Sequence, residues 1–380
     1  MLSRYESALA QRQTESQLRA PRTYHPIDAT HVAYKGSTYL MMASNNYLGL
    51  THHPHVQERA RQAIADYGTG SGGARLTSGS FPLFQEFESR LAQWKQAPAA
   101  LTFTAGFMAN LGTISALVHK GDIIFSDALN HASLIDGCRL SGATVQVYPH
   151  SDVETLETLL QQAQSAPMRF IITDGVFSMD GDIAPLPVLL DLAERYDALL
   201  IVDDAHATGV IGDGRGTAHH FHCESSRIIT TGTMSKALGS IGGYVCGDST
   251  LIQYMINHSR PFIFATALSP ADIGASLGAL EVLDTDPTIY ARLQRNTKHM
   301  QEGLTKLGIP STDETPIFPI IIGSNEATLK ASQYCEEKGI ILSAIRPPTV
   351  PRNTGRLRLT VTASHTLEDL DYVLQALQTL

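Results

Sequence analysis

Short apolar runs that alternate with helix-length segments dominate the middle of this 380-residue sequence. The runs lie at Ile123–Phe125, Val145–Tyr148, Phe170–Thr173, Leu199–Val202, Ile228–Thr230 and Tyr244–Cys246. Segments such as Phe107–Val118 and Leu186–Tyr196 carry apolar residues at helical spacing. Strands that are apolar on both faces must be covered on both faces. The pattern therefore predicts an α/β fold with a mostly parallel sheet between helices.

The end of the sequence has a different pattern and predicts a second, smaller domain. Strand-like runs and helical segments alternate there at Phe318–Ile322, Ala327–Glu337, Gly339–Leu342, Arg358–Thr362 and Leu367–Leu380. We therefore predict an N-terminal arm over residues 1–44, a large domain over residues 45–285 and a smaller α+β domain over residues 286–380.

Charge and cysteine content narrow the class of protein. The sequence has 28 basic and 37 acidic residues and a formal charge of −9, which argues against a nucleic-acid or membrane-surface partner. The N-terminus lacks the apolar stretch of a signal peptide, and no run of about 18 apolar residues predicts a membrane span. Four scattered cysteines without a CxxC pair are typical of a reduced protein, so we predict a cytoplasmic location.

A lysine after one of the predicted strands is the best local chemical signal. Lys236 ends the segment Thr231–Lys236, which follows the run at Ile228–Thr230 and precedes a glycine-rich stretch. Ligands of open α/β sheets bind at the carboxyl ends of strands. A Schiff-base lysine needs room for a flat ring, which the glycines provide, and Thr233 is a candidate phosphate contact. The alternative is a solvated lysine after a turn.

Two carboxylates and a histidine follow the strand at Leu199–Val202, namely Asp203, Asp204 and His206. A pyridinium nitrogen needs a carboxylate partner to stay protonated, and Asp203 suits that role. His206 would then lie beside the phenolic oxygen of the same ring. A metal site is the competing interpretation, because carboxylates and imidazoles are also metal ligands.

Other strand ends offer contacts for a phosphate and for a flat ring. Gly106 and Phe107 open a predicted helix, and the free N–H groups of a helix N-terminus bind phosphate. Ser178 follows the strand at Phe170–Thr173 and offers a hydroxyl to the same phosphate. His131 opens another helix, where its ring would stack on a cofactor. The ordinary alternatives are a glycine turn, a turn serine and a helix-start or core histidine.

Two further signals are weaker. The segment Gly68–Gly73 matches a dinucleotide-binding pattern, but it follows a helix and not a strand, so we expect no dinucleotide site there. Metal-ligating residue types cluster at His219, His220, His222 and Cys223. We interpret that cluster as a solvated surface segment and predict no metal.

Taken together, these segments resemble the α-oxoamine synthase family within the fold-type I pyridoxal-phosphate enzymes. The resemblance runs from Ser44–Leu50 to Arg356–Thr360, and the order and spacing of the motifs carry it. It implies a mostly parallel seven-stranded sheet sandwiched by helices, pyridoxal 5'-phosphate as cofactor, and a homodimer. Within the family, Asn130–Leu140, Asp174–Gly181 and Ala344–Pro351 most resemble the branch that uses L-alanine.

The resemblance also implies roles for individual residues. Lys236 matches the Schiff-base lysine, Asp203 the partner of the pyridine nitrogen and His206 the neighbour of the ring oxygen. His131 matches the residue stacked on the ring. Cofactor or phosphate contacts are implied for Gly106, Phe107, Ser178 and Thr233. Substrate contacts are implied for Arg19, Asn45, Arg346 and Thr349, of which Arg346 matches the arginine that binds a carboxylate.

The implied reaction is a decarboxylative condensation of L-alanine with a pimeloyl thioester on CoA or an acyl carrier protein, as in biotin biosynthesis. It would yield an 8-amino-7-oxo acid, with Lys236 as the base that removes the α-proton. One alternative is a glycine-using member of the family, of the 2-amino-3-ketobutyrate CoA ligase or 5-aminolevulinate synthase type. A different class is a metal-dependent hydrolase built on Asp203, Asp204 and His206. A non-catalytic binding protein is a third alternative, which the complete set of candidate residues disfavours.

Overall fold

The computed structural model of the protein describes residues 2–380, which form fourteen α-helices and fourteen strands. The helices are α1 (Ser3–Thr14), α2 (Pro54–Tyr67), α3 (Pro82–Trp94), α4 (Gly106–Leu117), α5 (Ala132–Ser141), α6 (Val153–Gln162), α7 (Leu186–Arg195), α8 (Thr217–His220), α9 (Ser249–His258), α10 (Arg260–Phe264), α11 (Pro270–Thr285), α12 (Thr288–Lys306), α13 (Asn325–Glu337) and α14 (Leu367–Leu377). The strands are β1 (His25–Pro26), β2 (His31–Tyr34), β3 (Ser37–Met41), β4 (Ala99–Phe103), β5 (Ile123–Asp127), β6 (Thr144–Tyr148), β7 (Arg169–Asp174), β8 (Ala198–Asp203), β9 (Ile228–Thr233), β10 (Gly243–Gly247), β11 (Ile317–Gly323), β12 (Ile340–Ile341), β13 (Ser343–Ile345) and β14 (Gly355–Thr360).

The chain divides into two units that are discontinuous in sequence. The first unit contains the residues up to Tyr47, the short segment Met179–Gly181 and the segment Ala291–Leu380. The second unit contains Leu48–Ser178 and Asp182–Tyr290. The residues of the predicted N-terminal arm therefore belong to the same unit as the C-terminal residues.

A seven-stranded sheet with the order β4-β10-β9-β8-β7-β5-β6 forms the centre of the second unit. Neighbouring strands from β9 to β6 are parallel, whereas β10 runs antiparallel to both β9 and β4. The predicted mostly parallel, seven-stranded fold is confirmed. Parallel strands place their carboxyl ends at one edge of the sheet, so the segments that follow β5, β7, β8 and β9 lie side by side.

The apolar residues of the central strands divide between two buried clusters. Ile201 packs in the cluster that includes residues of α4, such as Ala109 and Ile114. Its neighbours Leu200 and Val202 pack in a second cluster with residues of α6 and α7. Successive side chains of a strand point to opposite faces, so each cluster fills one face of the sheet. Among residues 2–380, no helix has both the length and the apolar character that a membrane span requires.

The first unit contains two smaller sheets, with the orders β1-β2-β3-β12 and β11-β14-β13. Strand β12 pairs in parallel with β3, through Ile340 with Leu40 and Ile341 with Met41. The chain after α13 therefore completes a sheet that begins near the N-terminus. A buried cluster joins these strands to the helices, with Leu40, Met300, Phe318, Leu357 and Val373 among its members.

Candidate active site

The strand ends of the second unit surround a cavity of about 220 Å³. Seven of the predicted site residues line it, namely Gly106, Phe107, His131, Asp203, His206, Thr233 and Lys236. The cavity is also lined by Ser235, which the sequence offers beside Thr233 as a phosphate contact, and by residues for which the sequence predicted no role: Ala105, Asn110, Ser133, Asp174 and Ala205. The polar side chains of the lining converge because each lies at, or shortly after, the end of a central strand.

Asp203 is the last residue of β8, and its carboxylate is held from two sides. Asn110 donates from Nδ2 to Oδ2 over 2.6 Å, and the backbone N–H of Ala205 donates to Oδ1 over 2.8 Å. The residue is only 3% exposed. These two donors orient both carboxylate oxygens at the cavity wall.

Asn110 connects Asp203 to Thr231 and Ser133 through hydrogen bonds. Thr231 donates from Oγ1 to Asn110 Oδ1 over 2.6 Å, and Asn110 Nδ2 also donates to Ser133 Oγ over 2.8 Å. Asn110 lies four residues after Gly106 on α4, and residues at that spacing share one helix face. That spacing from the predicted phosphate glycine is the signal that could have identified Asn110 from the sequence.

His131 caps the N-terminus of α5, as its predicted place at a helix start requires. Its backbone N–H donates to Asp174 Oδ2 over 2.6 Å, and its Nδ1 lies 2.7 Å from Ser133 Oγ. Its ring meets the Phe107 ring edge to face, with 6.3 Å between the centroids. Partial burial lowers the pKa of His131, and the positive charge of Lys236 lowers it further, whereas Asp203 opposes the change.

Asp174 ends β7 and contributes a second carboxyl group to the cavity wall. Its own backbone N–H donates to Asn130 Oδ1 over 3.0 Å. Burial raises the pKa of Asp174 well above its usual value, and the nearby Asp203 carboxylate raises it further. The N–H of His131 and the charge of Lys236 oppose this rise. Burial and the neighbouring carboxylate therefore make Asp174 take up a proton more readily than an exposed carboxyl group does.

Lys236 and Thr233 enter the cavity from the end of β9. Thr233 Oγ1 donates to the carbonyl of Gly242 over 2.7 Å and lies 2.6 Å from Ser235 Oγ. Lys236 is half-buried, three residues after the strand ends. Its amine therefore shares the cavity with the Asp203 carboxylate, as its position after β9 predicts.

Gly106 opens α4 directly opposite Thr233. A Cβ atom at Gly106 would lie 3.0 Å from the Thr233 Cβ, so glycine at this position relieves the close approach of β9 and α4. In the described part of the chain, no side chain caps this helix N-terminus. Its backbone N–H groups are therefore available to an anion such as a phosphate.

The two arginines that are predicted to bind the substrate lie in the first unit. Arg346 is 9% exposed and donates from Nη1 to the carbonyl of Ser16. Arg19 donates from Nη2 to the carbonyl of Pro347 over 3.3 Å. Burial lowers the pKa of Arg346, and repulsion from Arg19 and Arg22 lowers it further. Three guanidinium groups thus lie near one another within this unit, which is a cationic environment suited to a carboxylate.

The other three predicted residues lie away from the cavity lining. Asn45, in the first unit, accepts a hydrogen bond at Oδ1 from Arg358 Nη1 over 2.9 Å. Thr349, also in the first unit, is exposed, and its N–H donates to the carbonyl of Arg346. Ser178 is half-buried and follows β7 by four residues in the second unit. The structure thus brings seven of the twelve predicted residues into one cavity.

Asp204 has hydrogen-bond partners within the protein, and these argue against the alternative of a metal site. Its Oδ2 accepts from Lys95 Nζ over 3.0 Å, and its Oδ1 accepts from Thr217 Oγ1 over 2.7 Å. Within residues 2–380, no group of three or more histidine, cysteine, aspartate or glutamate side chains is arranged to hold a metal ion. The structure therefore gives no support to a metal centre at Asp203, Asp204 and His206.

A match over most of the chain identifies its protein family. The chain belongs to the aminotransferase class I and II family, which matches residues 37–377. Among solved structures, a variant of serine palmitoyltransferase from S. paucimobilis with bound PLP–myriocin aldimine is similar, with a TM-score of 0.94 and 30% sequence identity. That match covers 100% of this chain and 98% of the other.

Within this family, the chain is similar to proteins named 8-amino-7-oxononanoate synthase. A putative 8-amino-7-oxononanoate synthase of Desulforudis audaxviator (strain MP104C) is 48% identical over 360 residues, which are 94% of this chain and 94% of that protein. The 8-amino-7-oxononanoate synthase of Lysinibacillus sphaericus is 43% identical over 380 residues, which are 100% of this chain and 98% of that protein. The predicted resemblance to the α-oxoamine synthases is confirmed.

Proposed function

We propose that this protein is a pyridoxal-phosphate-dependent acyltransferase with 8-amino-7-oxononanoate synthase activity in biotin biosynthesis. The near-full-length identity to proteins of that name supports the activity. The observation that carries the proposal in the structure is the doubly held carboxylate of Asp203, which shares one cavity with Lys236. In this reaction L-alanine and a pimeloyl thioester, on CoA or an acyl carrier protein, condense with loss of carbon dioxide.

The residues of the cavity fit pyridoxal 5'-phosphate. When bound, this cofactor supplies an electron sink that stabilises negative charge on the α-carbon of an amino acid. Asp203 would hold the pyridine nitrogen in its protonated form, and His206 would bind the ring oxygen. His131 would contact the ring face. Gly106, Phe107 and Thr233 in the cavity lining would bind the phosphate, with Ser178, which lies outside that lining, as a further proposed contact.

Lys236 would carry out both the attachment of the cofactor and the proton transfer. A lysine acts as a base only when its amine is neutral. A cationic group beside the amine, such as the protonated ring of the bound cofactor, would lower the lysine's pKa towards that state. Its half-buried place at the end of β9 keeps the amine within the cavity. We assign to Lys236 Nζ the removal of the α-proton of L-alanine, which is the proton transfer of the reaction that needs a positioned base.

Both proposed substrates carry a carboxylate, and the arginines of the first unit support their binding. The buried guanidinium of Arg346, with Arg19 nearby, would bind a substrate carboxylate, while Asn45 and Thr349 would make further substrate contacts. We also propose a homodimer, as the family resemblance implies. The four free cysteine thiols are in keeping with the proposed cytoplasmic location.

The proposal is tested by the visible spectrum and by product analysis. We expect purified protein supplied with pyridoxal 5'-phosphate to show a visible absorption band that borohydride bleaches, and we expect Lys236→Ala to lack it. With pimeloyl-CoA, L-alanine should give product and glycine should give far less. A larger turnover with glycine would instead favour the glycine-using branch of the family. Protein that forms the band but condenses neither amino acid would contradict the proposed activity.

A further inference from the structure

We infer that Asn110 and Ser133 position His131 as a neutral imidazole that carries its proton on Nε2. His131 would then present a hydrogen-bond donor to a carbonyl or carboxylate oxygen of the substrate. This inference deepens the proposed function, since it concerns a residue of the same cavity. It rests on the directions of five hydrogen bonds, which begin at Thr231 and end at His131.

The orientation of the Asn110 amide is the first step. Thr231 Oγ1 lies 2.6 Å from one end of the amide, and the Asp203 carboxylate lies 2.6 Å from the other end. A carboxylate only accepts hydrogen bonds, so the amide end beside Asp203 must be the NH₂ group. The carbonyl end therefore accepts the proton of the Thr231 hydroxyl.

The direction of the Ser133 hydroxyl follows from that orientation. The Asn110 NH₂ group has two hydrogens, and Ser133 Oγ lies 2.8 Å from its nitrogen. Since one hydrogen goes to Asp203, the other goes to Ser133 Oγ, which accepts it. The single proton of the Ser133 hydroxyl is then directed at His131 Nδ1, 2.7 Å away.

His131 Nδ1 must therefore be an acceptor. The backbone N–H of Ser133 also points at this nitrogen, over 3.3 Å, as part of the helix cap. A proton on Nδ1 would face an O–H and an N–H donor at once, so the neutral ring carries its proton on Nε2. Among residues 2–380, no side chain or backbone group makes a hydrogen bond to that Nε2 atom. It is thus the ring nitrogen left for a ligand.

The charged groups around His131 have opposing effects on the protonation of its ring. Lys236 disfavours a charged imidazole, whereas Asp203 favours one, and Asp174 holds the backbone N–H of His131. These groups set how readily the ring is protonated, but they do not choose between its two nitrogens. That choice is made by Ser133, which is 1% exposed and whose hydroxyl is fixed by Asn110. Ser133 and Asn110 are thus positioning residues, because they act through His131 and Asp203.

The experiment measures the histidine nitrogens directly in the protein without cofactor. Protein with ¹⁵N-labelled histidine is compared with His131→Gln, which identifies the His131 signals by their loss. We expect wild-type His131 to show an unprotonated Nδ1 and a protonated Nε2 at neutral pH. Ser133→Ala should show averaged signals from both tautomers, and Ser133→Thr, which keeps the hydroxyl, should restore the wild-type signals.

A functional readout accompanies the nitrogen signals. In Ser133→Ala we expect kcat/KM for the acyl thioester to fall about 10-fold, the usual scale for loss of a group that orients a functional histidine. Ser141→Ala, at the other end of α5, is the matched control and should leave both signals and rate unchanged. Urea unfolding of each variant checks that it is folded.

Two results would overturn the inference. One is a protonated Nδ1 in the wild-type protein, which needs no variant to be observed. The other is a Ser133→Ala protein that is folded and keeps a single Nε2–H tautomer. Failure of the proposed function is separate, because it would appear as an absence of condensation by wild-type protein, while the nitrogen signals would still report the tautomer.

Discussion

Two lysine–aspartate combinations lie at adjacent places in the second unit and have opposite surroundings. Lys236 and Asp203 line the cavity at the ends of β9 and β8. Lys95 and Asp204 form a salt bridge of 3.0 Å in which the side chains are only 3% and 2% exposed. Asp203 and Asp204 are neighbours in sequence. Yet one faces the cavity and the other faces a buried group of polar partners.

Polar groups of the protein itself hold Lys95 in place. Lys95 Nζ donates to Asp204, to Thr208 Oγ1 over 3.0 Å and to the carbonyl of Arg215 over 2.7 Å, which uses all three of its protons. Burial alone would lower the pKa of Lys95, but the surrounding partners, Asp204 among them, raise it instead. A lysine held in this way is a permanent cation, which suits a structural ion pair and excludes nucleophilic chemistry.

The largest expected effect is a loss of activity that distinguishes Lys236 from Lys95. Lys236→Ala should lower condensation of L-alanine with pimeloyl-CoA by about 10³-fold or more, because the proposed attachment point and the proposed base are lost together. Its urea unfolding midpoint should stay near the wild-type value, since Lys236 is half-buried at the cavity. Product formation and unfolding are measured together, with the exposed Lys120→Ala as control. Activity within 10-fold of wild type would remove Lys236 from its proposed role.

The second effect concerns stability. Lys95→Met should lower the free energy of unfolding by about 3–5 kcal/mol, because Asp204 is left as an unpaired buried charge. The part of the protein that stays folded should keep the visible absorption band of the cofactor. Urea unfolding measures the loss, and Lys120→Met, at an exposed lysine, is the matched control. A loss below about 1 kcal/mol would mean that the buried ion pair contributes little.

The two aspartates provide a crossed test of the same comparison. Asp203→Asn should lower turnover by about 10²-fold with little change in stability, since the pyridine nitrogen would lose its proposed anionic partner. Asp204→Asn should instead lower the free energy of unfolding and leave the turnover of the folded protein unchanged. Steady-state rates and urea midpoints are compared for both variants. Equal effects of the two substitutions on turnover would contradict the separation.

The smallest effect is a dependence of stability on pH. The pKa of His131 is lowered in the folded protein, so the unfolded chain takes up a proton more readily as the pH falls. This stabilising contribution is fully present above a pH of about 6.5, the ordinary histidine pKa, and is lost as the pH falls below it. His131→Gln should therefore flatten the decline in urea midpoint between about pH 7 and about pH 5. If the decline in urea midpoint is unchanged in His131→Gln, groups other than His131 cause it.

The pKa of Lys95 is raised, so its contribution has the opposite sign. It is present below about pH 10.4 and is lost only as the pH rises above that value. Lys95→Met should therefore change the alkaline side of the stability profile and leave the slope of the acid side as it is in wild type. A change of the acid slope in Lys95→Met would contradict this assignment.

The sequence predicts the elements of the second unit and the residues at strand ends, because both have local signals. Apolar runs mark β5 to β10, and five of the predicted cavity residues lie within a few residues of such a run, namely His131, Asp203, His206, Thr233 and Lys236. Lys236, Asp203 and His131 were found in this way. Their roles as catalytic and cofactor-binding residues stay predictions until the variants are made.

Local patterns do not predict which distant partners the orienting residues contact. Asn110 is separated from Asp203 by 93 positions and from Thr231 by 121 positions, and Lys95 is separated from Asp204 by 109 positions. Such partners are fixed by the register of the sheet and by the packing of helices on it, which no single segment encodes. For the same reason, the sequence treated Asp203 and Asp204 as one candidate group, although strand alternation turns them apart.

The pairing of β3 with β12 has a consequence for the synthesis of the chain. About 300 residues separate Leu40 from its partner Ile340, so β3 must wait for most of the chain to leave the ribosome. At about 5–20 residues per second, that delay is about 15–60 s. During this interval the segment of the second unit between Leu48 and Tyr290 has already emerged. We therefore expect a nascent chain in which the central sheet forms first, while the early strands of the first unit remain open to chaperones.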